Sequence, residues 1–432
     1  MKRFALALAV TLALPVASAQ TPGSGRLSLF GTSQRTDLSG GDTRDFGEMT
    51  AALTLRYEVP DNRDTFEYAL DVRQSAYQST PGRPSRTRLY DAWLGGRIAG
   101  GRLALRAGHL WLYDLGALGS VGGAMAEYRS SAPSTAGRFR AGVFAGLEPK
   151  PFDAGYINQV KKGGAWLAFD AAGSRRHVLG YVQIRNARLT ERSVITTMNF
   201  IPIGRKFFLY QTGEYDLAGP GGTGHGGLNY FFANARFMPV QRVELLATYH
   251  HGRSIDARTI TDDILNGRPV DQKLLDGFMF ESAGGRMTVE VVRGFRVYAG
   301  YSADRHNADQ KATGRATAGL WASNIAHTGI DFTLSDYRTR RPTGGDDDAW
   351  FASIGRSIGP RFYISADYST SLAVITVLDG NTTVERRPRS KRYGLNTVWN
   401  IHRAVSLLLS GEQFADEFTT DNRMTFGLVY RF

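Results

Sequence analysis

The segment EMTAALTLRYEV at residues 48–59 decides the fold, because its side chains alternate between two kinds. Every second position, from Met49 to Val59, carries an apolar or small side chain, and the positions between them, from Glu48 to Glu58, are polar, charged or small. Successive side chains of a β-strand point to opposite faces. The segment is therefore predicted to be a strand with one apolar face and one wet, charged face.

The same alternation recurs along the chain, at residues 66–73, 243–250, 295–302, 362–369 and 405–412. Two architectures produce it. A soluble sandwich buries the apolar face in a core, whereas a transmembrane barrel turns that face to lipid and the polar face to a lumen. Many segments alternate over 10 to 12 residues. That length matches the ~9–11 residues of a tilted spanning strand and exceeds the ~5–6 of an average soluble strand. The pattern favours the barrel.

The N-terminus indicates export. Lys2 and Arg3 precede an apolar run at residues 4–16, and Ala17-Ser18-Ala19 follows as a small-residue cleavage site. These features predict a Sec-type signal peptide over residues 1–19. An uncleaved anchor helix is the alternative, but the apolar run is shorter than the ~20 residues that a spanning helix needs. Residues 20–432 are then expected to form the barrel, and removal of the peptide lowers the net charge from +12 to +10.

The last strand carries a second export feature, since alternate apolar side chains end on the final residue, Phe432. This ending resembles the assembly signal of Gram-negative outer-membrane β-barrel proteins, a porin-like class, over about ten residues, and it indicates no specific family. The resemblance implies location in the outer membrane, contact with its lipid and lipopolysaccharide, and recognition by the barrel assembly machinery. The residues implied to carry the signal are Phe426, Leu428, Tyr430 and Phe432.

The predicted fold class is all-β, a transmembrane antiparallel up-and-down barrel of about 22 strands. We count 22 alternating segments, an even number as single-chain bacterial barrels have, and the segments near 124, 197 and 319 are the weakest. Without pairs of them the count falls to 20 or 18. Short connections alternate with long loops, which predicts both termini on the periplasmic side. No N-terminal plug domain is expected, because the first strand begins near Gly25.

The wet faces of the strands carry basic and acidic side chains in equal number, so they predict no strong charge selectivity. The net charge of +10 leans weakly towards anions. A solvated or paired wall is the plain interpretation of any one of these residues, and the functional interpretation is an aqueous path for polar solutes. The predicted lumen-lining residues are Arg56, Glu58, Glu67, Asp71, Arg73, Arg102, Arg106, Arg185, Arg242, Glu244, Arg296, Asp331, Asp367 and Glu412.

Loops add two expectations. The longest, at residues 252–277, contains a predicted helix start at Thr261-Asp262-Asp263 and a stop at Gly267. It would either fold into the lumen or form an external flap. Basic clusters at 386–392 and 338–341 are either solvated or contact lipopolysaccharide phosphates. Nucleic acid is not an expected partner, because no recognition element accompanies the charge.

No catalytic, metal or cofactor site is predicted. The G-x-S-x-G match at residues 355–359 lacks the strand–turn–helix context of a nucleophile elbow. The glycine-rich stretch at 222–227 lacks a βαβ unit. The chain has no Cys, which excludes disulfides, thiolate metal sites and covalent haem.

The sequence thus favours an outer-membrane channel that passes small polar solutes without chemistry. The main alternative is a structural sheath around a periplasmic or lumenal protein partner, such as a multihaem cytochrome in an outer-membrane conduit. A carrier of lipid or hydrophobic solutes and an enzyme are further alternatives.

Overall fold

A computed structural model describes residues 23–59, 63–78, 85–130, 137–151, 153–171, 173–223, 225–307, 309, 311–342, 345–379 and 382–432. The predicted signal peptide at residues 1–19 lies outside the described residues.

Strands dominate the described chain. The first eleven are β1 (Gly23–Leu38), β2 (Thr43–Tyr57), β3 (Thr65–Gln78), β4 (Arg86–Ile98), β5 (Leu103–Trp111), β6 (Ser120–Arg129), β7 (Gly137–Pro149), β8 (Tyr156–Ala171), β9 (Arg175–Asn186), β10 (Leu189–Ile203) and β11 (Phe207–Ala218). The others are β12 (His225–Val240), β13 (Val243–Ser254), β14 (Phe278–Val292), β15 (Phe295–His306), β16 (Thr313–Ala322), β17 (Ile330–Arg340), β18 (Asp347–Ile358), β19 (Phe362–Ala373), β20 (Ile375–Asp379), β21 (Thr382–Arg386), β22 (Arg389–His402), β23 (Val405–Ala415) and β24 (Thr419–Arg431).

Twenty-two of these strands form one antiparallel sheet, and β20 and β21 form a separate hairpin between β19 and β22. The sheet closes because β24 pairs with β1. At the seam, the backbone N–H of Gly25 donates to the oxygen of Phe432 at 2.7 Å, and that of Phe432 donates back at 2.9 Å. Closure removes the exposed edges of the sheet. The prediction of a 22-strand up-and-down barrel is confirmed, including the three weakest segments, which are β6, β10 and β16.

Register separates an outer from an inner face. At the seam, Leu29 lies opposite Leu428 on the outer face, while Thr32 and Thr425 share a hydrogen bond of 3.4 Å on the inner one. Large apolar side chains cover the outer face and remain about half exposed in the isolated chain, such as Leu94, Val143 and Ile354. An apolar belt of this kind is what a barrel presents to lipid.

The lumen has a packed half and a wet half. Buried apolar side chains form one cluster, to which β3–β10 and the connection between β5 and β6 contribute. Trp93, Phe144 and Trp166 are the largest members of the cluster on the wall. Along β11–β19 and β22–β24, the inner side chains are mostly polar and partly exposed. Any open path through the barrel therefore runs along the wet half.

Helical structure is confined to connections. The described helices are α1 (Ala257–Leu265) and α2 (Gln272–Asp276), with 3-10 turns at Tyr113–Gly119, Pro220–Gly222 and Ile325–His327. None of the helices in the described residues is long and apolar enough to cross a membrane.

Candidate functional site

The connection between β5 and β6 turns into the lumen, and we call its 3-10 turn, Tyr113–Gly119, the inward segment. Leu112, Leu115 and Leu118 are buried. All three belong to the apolar cluster of the packed half, on both sides of a break in the turn at Gly116, where φ is +57°. Leu115 lies against Gly180 on β9, where a larger residue would collide with its side chain. Burial of these leucines holds the segment against the packed half.

Ion pairs fix the inward segment to the wall. Asp114 accepts from Arg140 on β7 at 2.7 Å and lies 3.4 Å from Arg176 on β9. Arg140 is itself shared, with Glu127 at 3.2 Å and Asp170 at 2.8 Å. A charge that is largely removed from water is tolerated when it is paired and hydrogen-bonded. These ion pairs therefore hold the inward segment in one defined position against the wall.

A second contact ties the segment to the opposite side of the packed half. The guanidinium of Arg56 on β2 donates to the hydroxyl of Tyr113 at 3.1 Å and to Asp91 on β4 at 3.1 Å. The inward segment is thus held from β2 to β9, and it blocks the part of the lumen that these strands enclose.

Charged side chains of both signs also lie side by side on the wall formed by β3–β5. Glu67 is fully buried and pairs with Arg97 at 2.9 Å and Arg106 at 3.0 Å. Arg106 also reaches Glu58 at 3.1 Å, and its guanidinium lies 4.1 Å from the ring of Trp93. These charges satisfy one another, so they stiffen the wall more than they attract solute.

The long loop between β13 and β14 also enters the lumen, which decides between the two expectations for it. Helix α1 begins at Ala257, with Asp256 as its N-cap, and not at Thr261 as predicted. The carboxylate of Asp256 accepts from the backbone N–H of Thr259 at 3.0 Å, which is the N-cap bond that the prediction had assigned to Thr261-Asp262-Asp263. The predicted stop is supported, since Gly267 has a φ of +66°.

Helix α1 packs against β9 and β10. Ile260 and Thr261 are fully buried. Arg258 pairs with the carboxylate of Glu191 on β10, and Asp262 accepts from Asn186 at the end of β9 at 2.8 Å. The helix therefore narrows the lumen from the long-loop end.

A chamber of about 700 Å³ lies between the inward segment and the loop that carries α1. Leu115 and Ala257 contribute from the two loops. On the wall side, Arg192 pairs with Asp216 at 2.9 Å and Glu214 at 3.3 Å. Asp216 also accepts from Asn229. One side of the chamber is thus polar, with one guanidinium held between two carboxylates.

Rings line the other side of the chamber, on the inner faces of β11–β15. The ring of His250 lies 5.5 Å from that of Tyr230 and 5.3 Å from that of Phe280, between centroids. His306 continues the row at 5.2 Å from Phe280. The chamber therefore offers flat aromatic surface next to polar groups.

Most of the predicted lumen residues lie on the inner face, and many have an ionic partner. Asp71 lies 3.6 Å from Arg73, Arg296 lies 3.2 Å from Glu290, and Glu412 lies 3.0 Å from Arg392. Glu244 is 3.8 Å from Arg236, and Asp367 accepts from Asn396 at 2.9 Å. Asp331 accepts from the backbone N–H of Asn324 at 2.9 Å. The inner residues from the predicted set are Arg56, Glu67, Asp71, Arg73, Arg106, Glu244, Arg296, Asp331, Asp367 and Glu412, with Glu58 just beyond β2.

Three predicted lumen residues lie elsewhere. Arg185 pairs in register with Lys161 on the outer face, four residues beyond Tyr181 on β9. Arg102 and Arg242 are exposed in the turns between β4 and β5 and between β12 and β13. Beyond the apolar belt both faces of a strand are polar, so alternation no longer distinguishes them there.

The basic loop clusters are partly neutralised. Arg338 lies 3.0 Å from Asp336, Arg340 lies 2.8 Å from Asp348, and Arg387 lies 2.8 Å from Glu385. Arg392 is directed to the inner face by its register. These clusters therefore offer less free positive charge than the sequence suggests.

Charged residues outside the predicted set, including Asp114, Arg140, Lys162, Arg192 and Arg258, hold the lumen structure together. The signal for the inward segment is the apolar connection LYDLGALG at residues 112–119, where a surface loop would be polar. Within the described part of the chain, no three His, Asp or Glu side chains are placed to hold a metal ion.

Comparisons with known proteins give low similarity. No protein-family model matches the sequence, and no curated protein matches it. Among solved structures, Pseudomonas aeruginosa OpdQ matches with 8% identity, 95% of this chain, 100% of that chain and a TM-score of 0.45. For Pseudomonas aeruginosa OccK7 (OpdD), the identity is 11%, the match covers 95% of this chain and 99% of that chain, and the TM-score is 0.46. For Acinetobacter baumannii OccAB2, the identity is 9%, the match covers 95% of this chain and 98% of that chain, and the TM-score is 0.47. Identities and scores of this size assign no function.

Proposed function

We propose that this protein is an outer-membrane channel that lets small polar solutes pass along the wet half of its lumen. The observation that carries the proposal is the division of the inner face. Apolar packing and the inward segment occupy the half formed by β3–β10, while partly exposed polar side chains line the rest. A polar wall offers an aqueous path, and the apolar outer belt suits a bilayer.

The two inward loops support selection by size and shape. Helix α1 and the inward segment bound the 700 Å³ chamber, so a solute must pass next to its ring-lined and charged sides. Most inner charges there are paired, which leaves the net charge of the whole chain as the source of a weak preference for anions.

The outer-membrane location rests on the barrel architecture and on the predicted signal peptide. In that setting the long-loop end faces outward and the termini face the periplasm. Lipid and lipopolysaccharide then surround the belt, and the role of Phe432 and its neighbours in recognition by assembly machinery stays a prediction.

The sheath alternative has less support. A sheath needs a bore wide enough for a separate folded protein. The inward segment and α1 occupy part of that space and are fixed there by Asp114 and Arg258. We therefore propose a channel, not a sheath and not an enzyme.

Ion conductance across a planar bilayer tests the proposal. The refolded protein is expected to give steady single-channel steps, and a salt gradient is expected to give a reversal potential with the sign of weak anion preference. A barrel with native far-UV circular dichroism that conducts no ions contradicts it.

A further inference from the structure

Two cations lie opposite each other on the outer surface at the long-loop end of β8 and β9, with a third in the turn that follows, and we call the three the basic corner. Lys161 on β8 and Arg185 on β9 are register partners, and Arg188 lies in the turn between β9 and β10. All three side chains are exposed. Across the described residues, no carboxylate pairs with any of them.

Their lack of partners contrasts with cations nearby. Lys162, the next residue along β8, points inward and lies 3.0 Å from Glu148. On the outer face at the same end, Arg305 lies 3.4 Å from Glu281 and Arg338 lies 3.0 Å from Asp336. Like charges directly opposite each other on neighbouring strands destabilise a sheet. The pair of Lys161 and Arg185 therefore calls for an anion from outside the chain.

An apolar depression of about 620 Å³ lies on the same outer face, towards the middle of the belt, and we call it the lipid-side groove. Small side chains leave the space, and larger ones border it. The bordering residues include Tyr128, Val143, Leu167, Leu179 and Tyr181, and the small ones are Ala126, Ala141 and Ala165.

The corner and the groove are aligned along the same two strands. Ala165 is the register partner of Tyr181 in the groove. Lys161, four residues before Ala165 on β8, is the register partner of Arg185. Four residues of strand span roughly 13 Å. Only Gly163 and Gln183 lie between them on this face, so a molecule can run from one to the other without obstruction.

We propose that the basic corner and the lipid-side groove bind one anionic lipid, with its phosphate on the corner and an acyl chain in the groove. The charge of the corner and the apolar lining of the groove match the two ends of such a molecule. In the orientation proposed above, this leaflet is the outer one, and the lipid is the phosphorylated lipid A part of lipopolysaccharide.

Binding of purified lipid A to the refolded full-length protein in zwitterionic detergent tests the proposal, with native mass spectrometry as the readout. The variant Lys161→Gln/Arg185→Gln is expected to lose affinity about tenfold or more, since each cation near an anionic lipid surface contributes roughly a factor of five. The matched control is Arg305→Gln/Arg338→Gln, which removes the same charge from paired positions at the same end and is expected to bind as the wild type does.

The groove is tested separately. Ala165→Trp fills it and is expected to weaken binding, whereas Ala318→Trp, on the outer face of β16, is expected to leave binding unchanged. Dephosphorylated lipid A is expected to bind poorly. Excess inorganic phosphate is expected to compete weakly, because it lacks the acyl chain.

Wild-type affinity in the Lys161→Gln/Arg185→Gln variant overturns the proposal, as does equal binding of the dephosphorylated lipid. A change in oligomeric mass with Ala165→Trp and no change in lipid binding also overturns it, since the groove is then an interface between copies. Channel conductance is measured on the same samples. Because lipid binding does not require conduction, a silent barrel that binds lipid A contradicts only the channel.

Discussion

Glu67 shows how the wall depends on single charges. Its carboxylate is fully buried and pairs with Arg97 and Arg106. It also accepts a hydrogen bond from the backbone N–H of Val59 at 3.3 Å. Loss of one partner from a buried ion pair leaves the other charge uncompensated. Glu67 therefore stabilises the barrel wall by keeping two arginines neutralised next to it.

We expect Glu67→Gln to lower the free energy of unfolding by about 3 kcal/mol, because Arg97 and Arg106 lose the buried carboxylate that they share, although Arg106 keeps Glu58. Urea unfolding of the refolded barrel in lipid vesicles measures it. Glu244→Gln is the matched control, since its partners lie 3.8 and 4.0 Å away, and a cost below about 1 kcal/mol is expected there. Equal costs for the two variants would contradict this account of Glu67.

Asp114 controls the inward segment more than the wall. Asp114→Asn removes its charge, while Arg140 keeps Glu127 and Asp170 as partners. We expect the single-channel conductance to rise, because the segment is released from the wall. Asp170→Asn, which removes a wall partner of Arg140 and Arg176 and leaves Asp114 in place, is expected to leave conductance unchanged. An unchanged conductance in Asp114→Asn would show that the segment does not limit the path.

The face of a single charged residue was predictable only within the apolar belt. Alternation places Glu67, Arg106 and Asp367 on the inner face, because apolar neighbours define the other face. It fails for Arg185, since the outward positions around it, including Lys161 and Gln183, are themselves polar. At strand ends, the face on which a side chain lies can therefore be assigned only from the pairing register, which the alternation does not give.

At the scale of elements, the cap of α1 provides a pH-sensitive hold on the long loop. The backbone N–H and the hydroxyl of Thr259 donate to Asp256 at 3.0 and 2.7 Å. These bonds hold the pKa of the Asp256 carboxyl below its ordinary value of 3.8. A carboxyl with a lowered pKa stabilises the folded loop above that ordinary value, and the contribution is lost as pH falls through the lowered value.

We therefore expect the loop that carries α1 to loosen on acidification below about pH 4. A spin label on Arg268→Cys reports it, because the chain has no other cysteine, and its mobility should increase at low pH. Asp256→Asn in the same background keeps an acceptor without the charge and should abolish this pH response. A response that persists in Asp256→Asn would assign it to another group.

The inward segment shows what sequence patterns miss at this scale. Leu115 and Leu118, together with Leu112 just before the segment, mark an apolar loop, but they do not indicate which strands the loop contacts. That is decided by Arg140 and Arg176, which follow Asp114 by 26 and 62 positions and reach it only once β7 and β9 are in place. The helix in the long loop was predicted with its start too late, because the N-cap at Asp256 is a matter of local backbone geometry.

At the scale of the whole molecule, the strand count and closure followed from the sequence. Period-two alternation survives in each spanning strand because one face meets lipid and the other meets water or polar packing. The division of the lumen did not follow, since polar and apolar inner residues are mixed between β3 and β10. The apolar ones, such as Trp93 and Trp166, fill the packed half.

The central claim is that solute passes along the wet half, and single cysteines test it in a chain that has none. Ser353→Cys lies on the inner face of β18 in the wet half, and Ala352→Cys is its neighbour on the outer face. Ala168→Cys lies on the inner face of the packed half, where the native side chain is 1% exposed.

The measurement is the single-channel conductance of each variant before and after reaction with a charged, water-soluble thiosulfonate reagent. We predict a stepwise fall for Ser353→Cys and no change for Ala352→Cys or Ala168→Cys. A fall for Ala168→Cys, or a conducting Ser353→Cys channel that the reagent leaves unchanged, would contradict the claim.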